Sequence, residues 1–451
     1  MVVSGASGPL RRGRGVEGFR RAFSSLRIYN YRLYWTGQLI SLTGTWMQRL
    51  AQAWLVLNLT KSAFALGTVT TLQFLPLSIF SLFGGVLADR IPKRRLLIVT
   101  QSIAAVQALI LAFLTSAGMI QLWHIYVLAL MLGMSNAFDN PARQSFPVEL
   151  VGREEVANAV ALNSTLFNTS RIAGPSLAGI AIATIGIAGC FWLNAVSFLA
   201  TICALTAMKP QLFFSVPARP RGRTLSLLRD GVVYAWHTPA VCVLLIQLLF
   251  FGTFAYNFNV VLPLLAKFSL HTSSLGYGFL FAALGAGSLV AALTLAYTRM
   301  QSQRTVVFGG LALVVALIGL GLSHQYVISL VLLAFTGGCS IMYSASTQTR
   351  LQVIVPDALR GRTMSLYTEF FAGTTPIGSL FIGAVSERWD RGIALVTAGG
   401  LSAIALVLAA IYVRGRSPHD MVRGTVLEPG FESGLGAEAA LHRGVGSAVG
   451  N

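Results

Sequence analysis

Charged residues are scarce in this chain. Only 11% of its 451 residues are Asp, Glu, Lys or Arg, whereas 55% are hydrophobic and the mean hydropathy is +0.69. A soluble domain normally carries about 25% charged residues. Apolar runs of about 20 residues, long enough to cross a ~30 Å hydrocarbon core, recur along the whole sequence. The composition therefore excludes a soluble globular protein and predicts an all-α polytopic membrane protein embedded in a lipid bilayer.

The sequence also lacks the usual marks of catalysis, metal binding and ATP hydrolysis. Its four cysteines lie singly in apolar runs and its six histidines show no metal-ligand spacing, so we expect no metal site. A G-x-x-x-x-G-K-[ST] loop is missing, which argues against a primary pump. A membrane-embedded enzyme would need a clustered His or Ser–His constellation. We therefore expect no cofactor.

Gly, Pro and charged residues divide the apolar sequence into twelve predicted membrane spans. They lie near 33–58, 64–88, 96–117, 122–142, 160–186, 189–208, 240–265, 275–298, 305–323, 326–347, 364–386 and 393–413. A polar stretch separates the sixth span from the seventh. The predicted regions are a basic cytoplasmic N-terminus (1–32), a six-helix bundle (33–208), a cytoplasmic linker (209–239), a second six-helix bundle (240–413) and a disordered tail (414–451).

The formal net charge of +18 serves orientation rather than nucleic-acid binding, because no domain is left to present a basic face. Of the 33 Lys and Arg residues, 27 fall in the termini and even-numbered loops, and only 4 fall in the odd-numbered loops. Cytoplasmic loops are the ones enriched in Lys and Arg. The distribution predicts that both termini face the cytoplasm.

The two halves carry traces of an internal repeat. At one constant offset Leu162 matches Leu366, Gly174 matches Gly378 and Gly179 matches Gly383. Each segment runs from a polar loop into a glycine-containing helix, in the same order of spans. The matches favour a duplication, and duplicated halves usually hold a substrate site between them near the midplane of the membrane.

The loop between the second and third spans is the most informative stretch. Gly85 stands four residues before Asp89, a carboxylate at the membrane edge, and Arg90 and Arg94 follow. Cations alone fit a loop that only orients the chain, but they do not explain the glycine. We expect Gly85 to allow close backbone approach and Asp89 to seek a cation or a helix N-terminus.

This loop resembles the signature of the major facilitator superfamily, G-x-L-[AGS]-D-R-x-G-R-[RK], with Pro92 in place of the family's glycine and Lys93 in place of its arginine. The resemblance implies two pseudo-symmetric six-helix bundles, alternating access, a monomer and the bacterial plasma (inner) membrane. It also implies a cytoplasmic gate in which Asp89 pairs with Arg143 near Thr363. Asp139, one turn before Arg143, is a competing partner.

A narrower resemblance is to the branch that contains the enterobactin exporter and related efflux proteins. It is carried by Asp139-Asn140-Pro141-Ala142-Arg143, by Gly174-Pro175-Ser176-Leu177-Ala178-Gly179 and by Arg360-Gly361-Arg362. Gly174-Pro175 is similar to the antiporter motif, which implies a bend in a closely packed helix; an ordinary kinked helix is the alternative. The implied substrates are siderophores, drugs or metabolites.

Three charged residues lie well inside spans: Arg49, Arg171 and Glu369. Each costs roughly 2.5–3.5 kcal/mol or more at a helix centre, so each should face a partner or a wet cavity. Glu369 is the candidate proton carrier by elimination, because the other acids lie at membrane edges or in loops. A structural Glu–Arg pair between helices is the alternative.

Spans one, four, seven and ten line the pathway in the resembled superfamily. The polar and aromatic candidates for the substrate cavity on those spans are Gln48, Gln52, Phe138, Tyr256, Asn257, Asn259, Tyr343 and Gln348. A wall of this composition suits an amphiphilic small organic substrate. The leading prediction is a proton-coupled exporter, and a facilitator or importer, a channel, an embedded enzyme and a non-transporting receptor are the alternatives.

Overall fold

A computed structural model describes residues 23–214, 224–298 and 302–414 of the chain. Nearly all of these residues are helical, and this part of the chain contains no strand. The all-α prediction is therefore confirmed. Most of the predicted basic N-terminus, the middle of the linker and the predicted disordered tail after Arg414 lie outside the described residues.

The first half of the sequence forms six long helices. They are α1 (Tyr29–Thr60), α2 (Ala63–Arg90), α3 (Lys93–Ser116), α4 (122–151), α5 (153–185) and α6 (187–207). The last three form one continuous helical stretch that Gly152 and Gly186 interrupt, with φ of 75° and 78°. Glycine adopts this left-handed region without the penalty that a Cβ would bring.

The second half is more broken. Its helices are α7 (Thr224–His237), α8 (Pro239–Phe250), α9 (Phe258–Leu264), α10 (Ser274–Thr298), α11 (Gln303–Leu322), α12 (Tyr326–Ile354), α13 (Asp357–Thr368), α14 (Thr375–Arg388) and α15 (Arg391–Arg414). Three π-helical segments occur at Phe251–Ala255, Leu265–Ser269 and Glu369–Gly373. Single-turn π segments within α-helices are often found at functional sites.

Every predicted span overlaps a helix. By length and composition, eight helices of the described chain are long and apolar enough to cross a membrane, with Leu122–Ala207 counted as one although it contains three helices. A multi-spanning helical protein is thus established. The number twelve stays a prediction.

The described chain divides into two compact units that differ from the two sequence halves by an exchange of short segments. Among the described residues, unit 1 contains 23–61, 75–214 and 272–282, and unit 2 contains 62–74, 224–271, 283–298 and 302–414. The start of α2 thus groups with the second half, and the start of α10 groups with the first. The predicted bundles, 33–208 and 240–413, are each continuous in sequence and therefore do not include this exchange.

Glycine crossings explain both exchanges. In unit 2, a Cβ built on Gly383 of α14 would lie 2.9 Å from the Ala63 carbonyl oxygen of α2. In unit 1, a Cβ built on Gly179 of α5 would lie 2.9 Å from the Ser274 carbonyl oxygen of α10. Without side chains at these points, the helix backbones approach closely. Gly179 and Gly383, which the sequence repeat pairs, thus occupy equivalent crossings.

One end of unit 1 is built around the start of α1. Three aromatic side chains of α1 donate hydrogen bonds to backbone carbonyls of α4 and α5: Tyr31 to Ala159 (2.9 Å), Tyr34 to Arg143 (3.1 Å) and Trp35 to Leu162 (3.2 Å). Tyr34 also contacts Phe146 edge to face, with ring centroids 5.6 Å apart. The polar tips of these rings are therefore satisfied within an apolar core.

Candidate functional site

Two basic residues of the loop that resembles the family signature bind to neighbouring helices. Lys93 forms an ion pair with Glu149 of α4. Arg94 donates to two carbonyl oxygens at the end of α6, from Nε to Leu205 (2.6 Å) and from Nη2 to Thr206 (2.9 Å). Terminal carbonyls of a helix are left without intrahelical partners and attract cations. The two side chains therefore tie the start of α3 to α4 and α6.

The Asp89–Arg143 pair of the predicted cytoplasmic gate is not formed in this structure. Arg143 instead forms an ion pair with Asp139, one turn earlier in α4. Asp89 and Arg90 are exposed, and Asp89 has no ion pair within the described residues. The competing partner named from the sequence is thus the one that holds the arginine.

The prediction that Gly85 allows a close backbone approach is wrong, because the close approach occurs at the adjacent Gly84. A Cβ built on Gly84 would lie closer than 3.0 Å to the Ala137 carbonyl oxygen, whereas one built on Gly85 would have no neighbour within 4 Å. The four-residue spacing to Asp89 indicated Gly85. The rotation of α2 about its axis instead turns Gly84 toward α4. Sequence spacing alone does not report this rotation.

These adjacent glycines provide a matched test. Gly84→Val is expected to lower the thermal stability of the purified protein by about 1–3 kcal/mol, because the added atoms overpack the α2–α4 contact. Gly85→Val should change stability by less than about 0.5 kcal/mol, since its side chain enters open space. Thermal unfolding of both variants in detergent measures the difference, and equal midpoints would contradict the assigned contact.

Asp139 is the most deeply buried carboxylate of the site, with a relative exposure of 1%. Its Oδ1 accepts hydrogen bonds from Thr100 Oγ1 (2.8 Å) and Gln101 Nε2 (2.9 Å) of α3, while Oδ2 faces Arg143. Two hydrogen bonds and an ion pair compensate the loss of hydration that a buried charge suffers. The arrangement ties α3 to α4.

Gln48, a predicted cavity residue, lies in a second buried polar cluster. It donates to Gln107 Oε1 of α3 (3.0 Å) and accepts from Asn194 Nδ2 of α6 (2.7 Å). Asn194 in turn accepts a hydrogen bond from Ser197 at 2.9 Å. Both ends of the Gln48 amide are thus used to join three helices. Gln52, one turn further along α1, is also buried.

Several polar atoms near these clusters have no hydrogen-bond partner among the described residues. They include both amide atoms of Gln38, which is 0% exposed, together with Gln107 Nε2 and Arg143 Nε. Burying an amide without a hydrogen bond costs roughly 2–7 kcal/mol, depending on the reference state. Such atoms in a folded protein need a partner, commonly an ordered water.

The three predicted membrane charges differ in their surroundings. Arg49 stacks over the Trp46 ring, with its guanidinium carbon 4.6 Å from the ring centroid, and Arg171 is half-buried in α5. Glu369 is exposed at the first residue of the π-helical segment Glu369–Gly373. Within the described residues it forms no ion pair. Arg49 and Arg171 belong to unit 1 and Glu369 to unit 2.

Aromatic side chains of unit 2 gather beside two of the π-helical segments. The Tyr256 ring meets Phe371 edge to face at 4.7 Å, and its hydroxyl donates to the Ser340 carbonyl oxygen at 2.6 Å. Phe251 stacks on Tyr343 at 4.3 Å. The predicted cavity residues Tyr256 and Tyr343 therefore lie in one aromatic group, of which Tyr256 is the half-buried member and Tyr343 is fully buried.

The remaining predicted cavity residues differ in their burial and in their contacts. Asn257 is buried; it donates to the Thr253 carbonyl oxygen (2.5 Å) and accepts from Ser379 of α14 (3.2 Å). Asn259 is half-buried and Gln348 is exposed. Phe138 packs against the apolar core around the start of α1.

The predicted bend at Gly174-Pro175 lies inside α5, where the backbone stays helical; non-helical torsions in Leu122–Ala207 occur only at Gly152 and Gly186. A Cβ built on Gly174 would lie 2.5 Å from Trp46 Cβ and 2.8 Å from the Thr43 carbonyl oxygen. The absence of a side chain at this position lets α5 approach α1. Close packing is therefore what the glycine contributes here.

A family model described as a transmembrane secretion effector, of the major facilitator type (MFS_3), matches residues 20–424. The chain belongs to this family. As a member, it is a multi-pass membrane transporter of small molecules and not an enzyme, and its relatives place it in the bacterial plasma membrane.

Curated relatives of this transporter carry siderophores and drugs. The staphyloferrin A transporter of Staphylococcus aureus is 23% identical over 393 residues, which cover 85% of this chain and 96% of the relative. The enterobactin exporter EntS of Escherichia coli is 26% identical, covering 86% and 92%. The multidrug efflux pump Tap of Mycolicibacterium fortuitum is 26% identical, covering 74% and 83%.

Solved structures show the same fold at low sequence identity. The nucleoside transporter NupG matches with a TM-score of 0.65 at 14% identity, covering 86% of this chain and 98% of that chain. A bacterial homologue of the human lysosomal transporter Spinster matches with a TM-score of 0.65 at 13% identity, covering 88% and 94%. The major facilitator fold expected from the signature loop is thereby confirmed.

Sequence reasoning missed the buried polar partners in this family member. Gln38, Gln101, Gln107 and Asn194 were not singled out, although Gln101 bonds to Asp139 and both Gln107 and Asn194 bond to Gln48. A signal existed on α1, where the buried polar residues are spaced by three, four or seven positions and therefore share one face. On α3 and α6 the partners are single polar residues in apolar helices, and their pairing depends on tertiary packing.

Proposed function

We propose that this transporter is a secondary active exporter that works by alternating access and couples the outward movement of small organic molecules to proton entry. The names of two relatives, an enterobactin exporter and a multidrug efflux pump, support export, and they favour siderophores or drugs as the substrate class, with metabolites as the alternative. The position of Glu369 supports proton coupling and is the observation on which that part of the proposal rests.

Glu369 has the properties that a proton carrier needs. It is a carboxylate within a largely apolar helical segment, at the start of a π-helical turn, and no ion pair within the described residues neutralises it. A carboxylate at membrane depth is costly when charged and less so when protonated. Its protonation state should therefore change as its surroundings change during transport.

The aromatic group around Tyr256, Phe371 and Tyr343 supports an amphiphilic organic substrate. Its half-buried members Tyr256 and Phe371 offer apolar ring faces beside the Tyr256 hydroxyl and the Ser340 carbonyl group. Ligand sites are commonly apolar surfaces with a few placed polar groups. A planar or aromatic compound with hydrogen-bonding substituents fits this description better than an inorganic ion.

Replacement of Glu369 tests the coupling. Glu369→Gln is expected to abolish transport driven by a pH gradient while leaving substrate binding intact, because the amide has the same shape but takes up no proton. Flux in proteoliposomes with and without a pH gradient, using siderophore and drug panels, measures this effect. Glu154→Gln, an exposed acid at the start of α5, is the matched control.

Normal pH-driven flux in Glu369→Gln would remove Glu369 from the coupling step. Flux of the unmodified protein that runs down the substrate gradient at any pH would instead indicate a facilitator or importer. We further propose that both termini lie in the cytoplasm, as the distribution of Lys and Arg supports, and that the protein is a monomer, as the family resemblance implies. Labelling of single cysteines introduced at the termini of intact cells tests this orientation.

A further inference from the structure

One face of α1 carries a row of buried polar side chains. Tyr34, Gln38, Ser41, Gln48 and Gln52 recur at helical spacing, and each is at most 1% exposed. At 1.5 Å per residue, the part from Gln38 to Gln52 is about 21 Å long. This is roughly two thirds of a ~30 Å hydrocarbon core. Such a row is unusual inside a membrane bundle, where buried polar groups are mostly functional.

Three other helices of unit 1 face this row. We call the assembly the polar seam, and its members are Gln38, Ser41 and Gln48 of α1, Gln101 and Gln107 of α3, Asp139 and Arg143 of α4, and Asn194 of α6. Its cytoplasmic part runs from Ser41 through Gln101, which accepts from Ser41 at 3.4 Å, to Asp139. Its second part is the cluster of Gln48, Gln107 and Asn194.

The unpartnered atoms of the seam point to a ligand. Gln38 offers a donor and an acceptor, Gln107 Nε2 is a donor, and Arg143 Nε is a donor, and none of these atoms bonds to another described protein group. The ligand must both donate and accept hydrogen bonds, and it must be small because Gln38 is fully buried. Water meets both conditions and commonly satisfies buried polar groups of this kind.

We propose that the polar seam binds ordered water molecules beside Gln38 and Gln107, and that the water beside Gln38 exchanges protons with Asp139. Water binding does not depend on the function proposed above, whereas a use for the protons in transport rests on it. All members of the seam belong to unit 1, whereas Glu369 belongs to unit 2.

The groups facing Asp139 determine how it exchanges a proton. Arg143 pairs with it from α4, Thr100 and Gln101 donate to it from α3, and the Tyr34 hydroxyl of α1 binds the Arg143 carbonyl oxygen. Arg49 of α1 adds a second positive charge that acts on Arg143.

The neighbouring end of α2 brings Gly84 against Ala137, and its charged residues Asp89 and Arg90 are exposed.

A proton delivered by water binds Asp139 Oδ2. Arg143 keeps its own charge, so the net charge of the pair rises from zero to +1 and returns to zero when the proton leaves. Loss of the ion pair frees Arg143 for another carboxylate.

Radiolytic hydroxyl labelling of the intact protein in nanodiscs tests the bound water, with water itself as the probe. Tyr34 lies one turn before Gln38 and is 1% exposed, so bulk solvent should label it slowly, whereas a bound water activated in place should label it quickly. Gln38→Leu should reduce the labelling rate of Tyr34 about fivefold or more, because the leucine leaves no polar group to hold the water.

Thr201→Val is the matched control, since Thr201 is equally buried and its hydroxyl is already bonded to the Gly37 carbonyl oxygen at 2.9 Å. It should leave Tyr34 labelling unchanged. Tyr277, buried to the same degree elsewhere in unit 1, gives the rate for a dry tyrosine. A Tyr34 rate equal to that of Tyr277, or unaffected by Gln38→Leu, would overturn the proposal. Gln38→Met replaces Gln38→Leu if the latter does not fold.

Infrared difference spectra recorded during a pH titration test the proton. The protonated carboxyl band of the unmodified protein should contain an aspartate component, identified by carbon-13 aspartate labelling, that disappears in Asp139→Asn. An unchanged band in Asp139→Asn, or no aspartate component between about pH 4 and pH 9, would refute the proton site. If the aspartate component is present but the unmodified protein shows no pH-driven flux, the proposed function is wrong, whereas the proposal for the polar seam remains supported.

Discussion

Gly287→Ala is expected to destabilise unit 2 by about 1–3 kcal/mol, or more if the helices cannot separate. A Cβ at this position of α10 would lie closer than 3.0 Å to the Ala334 carbonyl oxygen of α12, and one on Gly337 would be equally close to Leu284. Both obstacles are backbone atoms, so no side-chain rotation relieves the overlap. Ser288 Oγ also donates across the contact to the Gly337 carbonyl oxygen at 3.1 Å.

The neighbouring Gly338→Ala serves as the control for Gly287→Ala. Its nearest neighbour would be the Gly287 carbonyl oxygen at 3.5 Å, an ordinary contact distance. Thermal unfolding of the purified protein, followed by size-exclusion chromatography after heating, should show a clear loss for Gly287→Ala and almost none for Gly338→Ala. If the two variants melt together, α10 and α12 do not cross at these glycines.

Asp139→Leu is expected to cost about 3 kcal/mol, near the lower end of the 3–5 kcal/mol seen when one partner of a buried ion pair is removed. The lower end applies because the Arg143 side chain retains 16% exposure. The double variant Asp139→Leu/Arg143→Leu should recover much of this loss, since no unpaired charge remains. A double-mutant cycle on thermal or denaturant unfolding gives the coupling.

The ion pair between Asp357 and Arg360 is the control for that cycle. Its side chains are 87% and 45% exposed, so Asp357→Leu should change stability by less than about 1 kcal/mol. Additive effects of the Asp139 and Arg143 substitutions would mean that the two charges do not depend on each other. That result would also contradict the role given to Arg143 in proton exchange.

Much of the fold followed from composition and pattern. Long apolar runs predicted the helices, because a membrane-embedded backbone must satisfy its hydrogen bonds internally. The Gly85–Arg94 loop indicated the superfamily, and the repeat pointed to Gly179 and Gly383, which do occupy equivalent crossings. The exchange of 62–74 and 272–282 between the compact units was not predictable, since it depends on which helices meet at those glycines.

Less of the candidate site followed from the sequence. The sequence marked Asp139, Arg143, Gln48 and Glu369 as notable, because a charged or amide side chain inside an apolar run is costly wherever it lies. Only the tertiary structure decided that Arg143 pairs with Asp139, that Gln48 joins three helices and that Gly84 makes the contact expected of Gly85. Those outcomes depend on helix rotation and crossing, which are determined by contacts between residues far apart in the chain.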